Sequence, residues 1–122
     1  MVTDSRPHLD YLLDAQPGPS LDHYARALRE QRRFRVDQLR ELDTASRPGA
    51  EQSEQLAEVR ATLRSAAETA LAEIDAALGR LDIGEYGRCV RCREQILPER
   101  LEILPAASLC MACQQAAEAV AD

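Results

Sequence analysis

The chain has 122 residues, 30 % of them charged, with a net charge of −6 and only 3 % aromatic residues. That length bounds it to one domain with appendages, and the acidic balance excludes a general nucleic-acid binder, which needs a basic footprint. No apolar run is long enough to span a membrane, and twenty Ala and sixteen Leu beside so few aromatics describe long helices packed in pairs.

Residues 1–20 begin polar, carry a short apolar patch (Leu9, Tyr11, Leu12, Leu13) and end in Pro17-Gly18-Pro19-Ser20. They are expected to form a weakly ordered arm, since a terminus is loose unless something ties it down. Ser20 is placed to cap a helix, with Asp22 in its first turn. From Leu21 to about Ser46 the residues Leu21, Leu28, Arg35 and Leu42 recur seven apart, with Ala25, Arg32 and Leu39 as the companion row. That is a heptad seam with arginines in its middle, and Arg47-Pro48-Gly49 breaks it.

A second helix is expected from about Glu51 to Asp82. Its seam runs Leu56, Val59, Leu63, Ala66/Ala67, Ala70, Ile74, Ala77/Leu78 and Leu81. Glu51 and Glu54 suit its start through the helix dipole, and Gly84 supplies a stop. Two long helices joined by so short a break fold back as an antiparallel hairpin, a coiled coil over 21–82 with its tip near 46–50. At 1.5 Å per residue the hairpin is on the order of 40 Å long. Such a stalk either reaches into a partner or pairs with itself, and an Ala-rich seam fits both, so the oligomeric state stays open. Arg32 and Arg35 lie on the seam, where pairing with acids of the second helix is expected. Arg29, Arg33 and Arg40 face outward as candidate partner contacts.

After Gly84 the helical period fails and four cysteines take over, as Cys89-x₂-Cys92 and Cys110-x₂-Cys113 with seventeen residues between the pairs. Two such claws converge on one tetrahedral zinc ion. With four thiolates bound, zinc has no open position for water or substrate, so the site is structural. Residues 83–122 therefore read as a four-cysteine zinc-finger module with a C-terminal helix from about Cys110, too small to hold itself together by apolar burial alone. Reduced thiols and the absence of a basic-then-apolar leader pattern point to the cytoplasm. His8 and His23 stand apart from the cysteines and are expected to be solvated. No nucleophile–base pair or phosphate-cradling glycine loop is evident, so no enzyme is expected. Around the cysteines, Arg88, Arg91, Arg93 and Arg100 are balanced by Glu85, Glu94, Glu99 and Glu102, a poor counterion-releasing surface for DNA.

The stretch from Ala77 to Gln114 resembles the DksA/TraR family of bacterial zinc-finger transcription regulators. The residues that carry the resemblance are Leu81-x₂-Gly84-x-Tyr86-Gly87-x-Cys89-x₂-Cys92, Ile96, Arg100-Leu101-Glu102, Pro105, Ala107 and Cys110-x₂-Cys113. The resemblance implies a mainly α protein whose coiled coil enters the secondary channel of RNA polymerase, without reading DNA sequence. There the tip approaches the catalytic centre and alters the lifetime of promoter complexes, often together with the alarmone ppGpp.

Three departures shape the expectation. The family's tip motif, Asp-x-x-Asp-x-Ala, is absent where the chain reads Ser46-Arg47-Pro48-Gly49-Ala50-Glu51. Asp43, Arg47, Glu51 and Glu54 are the candidate partner-binding residues of this divergent tip, although Glu51 and Glu54 equally suit a plain helix start. Arg93 stands where the family has glycine after the second cysteine, at a modest expected cost in stability. Gln114 to Asp122 contains no Arg or Lys to hold alarmone phosphates, so ppGpp independence is expected. The alternative is a zinc-stabilised coiled-coil interaction protein that keeps the family fold without regulating polymerase.

Overall fold

The computed structural model describes residues 20–45 and 53–121, which form four helices: α1 (Leu21–Ala45), α2 (Glu54–Asp82), α3 (Pro98–Ile103) and α4 (Met111–Ala121). The expected fold class is the one found, mainly α and with no strand among the described residues beyond a single Arg88–Gln95 bridge. No described helix is long and apolar enough to cross a membrane.

Each long helix starts on a side-chain cap. The Ser20 hydroxyl accepts from the His23 N–H at 3.3 Å, and the Ser53 hydroxyl accepts from the Leu56 N–H at 3.0 Å. These caps satisfy amides that a first turn leaves without partners. The second helix therefore starts at Glu54 behind Ser53, three residues later than the charge pattern implied. Glu51 lies outside the described residues.

α1 packs along α2 with one register. Arg32 Nε donates to Asp75 Oδ1 at 2.7 Å, and near the far end Arg64 of α2 donates to Asp43 of α1. Moving eleven residues up α1, from Arg32 to Asp43, moves eleven down α2, from Asp75 to Arg64, so the helices run antiparallel. The pairs are exposed and contribute about 0.2–1 kcal/mol each, enough to select a register rather than to hold the hairpin. Arg35 departs from expectation. Its guanidinium donates to Gln38 of its own helix at 3.0 Å and lies 5.5 Å from the centre of the Phe34 ring. Arg40 likewise stays within α1, 3.5 Å from Asp37.

The core sits at one end of the hairpin. Leu28, Ile74 and Ala77 are buried together, with Leu78, Leu81, Tyr86 and Ala106 against them. Ala67 and Ala77 carry no exposed surface, and their small side chains let the helices approach closely. Four seam residues are not buried as expected: Leu21, Leu56, Val59 and Leu63 are each at least 44 % exposed. The heptad row through Leu21 gives way to Tyr24, 5 % exposed, because Tyr24 turns toward the cysteine module and forms a second cluster with Cys89, Ile96 and Leu101.

Candidate metal centre

The first cysteine pair is shaped by backbone alone. Gly87 takes φ +83°, a left-handed conformation that costs glycine nothing, and its carbonyl accepts from the Ile96 N–H at 2.8 Å. Within that frame the Cys89 N–H donates to Glu94 O at 2.8 Å and the Arg93 N–H donates back to Cys89 O at 3.0 Å. The chain thus turns tightly round the two residues between Cys89 and Cys92. Arg93 itself has φ +71°, so the left-handed position expected after the second cysteine is kept although it is filled by arginine.

The second pair rides on α4. Cys110 immediately precedes the helix, its carbonyl accepts from the Gln114 N–H at 2.9 Å, and its sulfur lies 3.5 Å from the Cys113 amide. The pairs are tied together where the Val90 N–H donates to Ser108 O at 2.9 Å. Arg100 Nε donates to Leu109 O at 3.0 Å, fixing the approach to Cys110 from α3.

All four Sγ atoms lie within 4.8 Å of one another, and Cys92 and Cys110 are 3.8 Å apart. A tetrahedral zinc with Zn–S bonds of about 2.3 Å has S···S edges of about 3.8 Å, so the donor set matches one ion. Backbone amides, foremost that of Cys92 and then those of Cys110 and Arg91, bring the Cys89 thiol down to about 6 against the opposition of burial. Burial first, and then the neighbouring thiols, push Cys113 up to about 12. Sulfurs so crowded cannot all carry charge unless a cation lies among them. Cys89, Cys92, Cys110 and Cys113 fit one zinc ion, and a full set of sulfur ligands would make it structural.

The centre is joined to the hairpin by two tyrosines. Tyr86 donates its hydroxyl to Pro105 O at 2.7 Å, and its ring lies 5.3 Å from that of Tyr24 on α1. His23 is exposed, as a solvated residue should be, and it also places Nε2 3.0 Å from Glu102 Oε2 of α3. These contacts between the foot of α1 and α3 escaped sequence reasoning. The only available signal was Tyr24 standing one turn before Leu28 on the buried face. The tip candidates are not brought together among the described residues. Asp43 is paired with Arg64, Glu54 sits in the first turn of α2, and Arg47 and Glu51 lie outside the described residues.

Residues 84–119 match the prokaryotic dksA/traR C4-type zinc finger. Among solved structures, the chain is similar to the transcription factor DksA2 from Pseudomonas aeruginosa, with 28 % identity and a TM-score of 0.66 over 89 % of this chain and 95 % of that one. It is also similar to the DnaK suppressor protein from Agrobacterium tumefaciens C58, with 26 % identity and a TM-score of 0.57 over 83 % and 98 % of the two chains. No curated protein matches the sequence.

Proposed function

We propose that the chain, with a dksA/traR C4-type zinc finger over residues 84–119 and a likeness to DksA2, is a DksA/TraR-like transcription regulator that binds bacterial RNA polymerase through the secondary channel and modulates initiation. The observation that carries this reading is the joining of two parts in one chain. A C4 zinc finger is fused to a hairpin on the order of 40 Å long, and the likeness to DksA2 extends over both, across 95 % of that protein. The Arg32–Asp75 and Asp43–Arg64 pairs keep the stalk in one register, with Ala45 and Ser53 at the end away from the cysteines. Asp43, Arg47, Glu51 and Glu54, in or beside the sequence that joins the two long helices, are assigned to the partner. The protein acts in the cytoplasm and is not an enzyme, and it reads no DNA sequence of its own.

Regulation proceeds without ppGpp. The groove between hairpin and zinc module sets Glu30 and Glu73 against Arg35 and Arg100, and Arg100 is already engaged with Leu109 O. α4 beside it has no basic residue. Such a surface offers a polyphosphate as many like charges as opposite ones.

The test is a titration of the fluorescently labelled protein with polymerase core from the same organism, with an unlabelled secondary-channel factor as competitor. Saturable binding that the competitor displaces, unchanged by added ppGpp, is the expected result. No binding at micromolar polymerase would leave the fold intact and overturn the function. The altered sequence Ser46–Glu51 favours one second reading, an interaction protein that keeps the fold without regulating polymerase. That reading predicts no effect on transcription in vitro.

A further inference from the structure

Among the described residues Arg93 is the one non-glycine residue with positive φ, +71°. A side chain there costs roughly 1–2 kcal/mol, because its Cβ crowds the following carbonyl. The turn has no freedom to relax, since the Arg93 N–H is held by Cys89 O and the Cys89 N–H by Glu94 O. Three side-chain contacts converge on it. Arg93 Nη2 donates to Glu85 Oε1, Arg88 Nη1 donates to Arg93 O at 3.1 Å, and Arg88 Nε lies 3.8 Å from the same Glu85 oxygen. Glu85 is fixed in its turn, because its own N–H donates to Arg80 O at 2.8 Å and closes the end of α2.

We propose that Glu85 is a positioning residue for the zinc site. Its carboxylate, acting through Arg93 and Arg88, holds the turn after Cys92 in the left-handed conformation that glycine would adopt unaided, and so slows the loss of zinc. The sign of the effect separates this role from simple electrostatics. Zinc with four thiolates carries a net charge of −2, so a nearby carboxylate acting through space opposes that dianion, and neutralising it would strengthen metal binding. A carboxylate acting through the arginine brace does the opposite.

Zinc transfer to a chromophoric chelator is measured on the zinc-loaded full chain for wild type, Glu85→Gln, Arg93→Gly and the double variant. Glu85→Gln is expected to release zinc about threefold faster, the size of a half-exposed ion pair. With glycine at 93 the backbone needs no brace, so the double variant is expected to match Arg93→Gly alone. This rescue by glycine is a response that general destabilisation by Glu85→Gln would not give. Release by Glu85→Gln that is unchanged or slower than wild type would overturn the proposal. An equal acceleration in both backgrounds would also overturn it, since Glu85 would then act without Arg93. Should Glu85→Gln fail to fold, the two glycine variants decide: equal release supports the brace and unequal release refutes it.

Discussion

The hydroxyl of Tyr86 donates to Pro105 O while its ring leans on Tyr24, so this one side chain meets both α1 and the loop that leads to Cys110. Burial, followed by Tyr24, pushes its phenol up to about 12, with Arg80 opposing and Glu102 adding to the rise. The folded state therefore favours the neutral phenol, whereas the unfolded chain ionises near 10. This contribution to stability is fully present below pH 10 and is lost as the pH rises toward 12. Tyr86→Phe is expected to lower stability at neutral pH by about 1 kcal/mol, the net worth of the lost hydrogen bond. It is also expected to flatten the alkaline decline. Some slope will persist, because burial and Glu102 also raise the Tyr24 phenol. Urea unfolding at neutral and strongly alkaline pH checks both effects, and an identical slope in wild type and Tyr86→Phe would remove Tyr86 from the account.

Helix ends decide where the elements stop, and α2 ends on a complete left-handed cap. Gly84, at φ +76°, donates its N–H to Leu81 O at 3.3 Å, and the following Glu85 N–H reaches Arg80 O at 2.8 Å. Both bonds satisfy carbonyls that the last turn would otherwise leave open. A Cβ at Gly84 would meet no atom within 4 Å, so Gly84→Ala tests backbone conformation alone. Its expected cost is about 1–2 kcal/mol, against about 1 kcal/mol for Ser53→Ala at the other end of the helix. Thermal or urea unfolding ranks them, and a silent Gly84→Ala would show that this turn is not held left-handed. Such local signals were legible in sequence: Ser20, Gly84 and the cysteine spacing all act within a few residues of where they stand. The heptad seam was legible only in part. Ile74 and Ala77 were placed correctly, but Leu21, Leu56, Val59 and Leu63 share the same period and stay exposed. Periodicity gives the face of a helix, not how far along it a partner extends. The burial of Tyr24 and the pairing of His23 with Glu102 were missed for a related reason. Their partners lie on other elements, and no spacing within the chain encodes such contacts.

At the scale of the whole molecule, the zinc module and the hairpin do not have separate cores. Tyr24 of α1 is buried among Cys89, Ile96 and Leu101, while Tyr86 and Ala106 of the module pack against Leu28, Ile74 and Ala77. Burying a side chain such as Leu28 contributes about 2 kcal/mol, and helices of this kind gain most of their stability from packing rather than propensity. Cys89 is fully buried in the shared cluster, so its thiolate keeps its place only while the metal offsets the charge of its neighbours. Removing zinc should therefore release Tyr24 along with the cysteines, and the foot of α1 should fray with the module. The expected result of chelation is a loss of helical circular dichroism larger than α3 and α4 can account for, at six and eleven residues respectively. Added zinc should restore the signal in full. A loss confined to those two short helices would mean that the hairpin stands without its base. The Arg32–Asp75 and Asp43–Arg64 pairs, with Leu28 against Ile74, would then have to hold the stalk unaided.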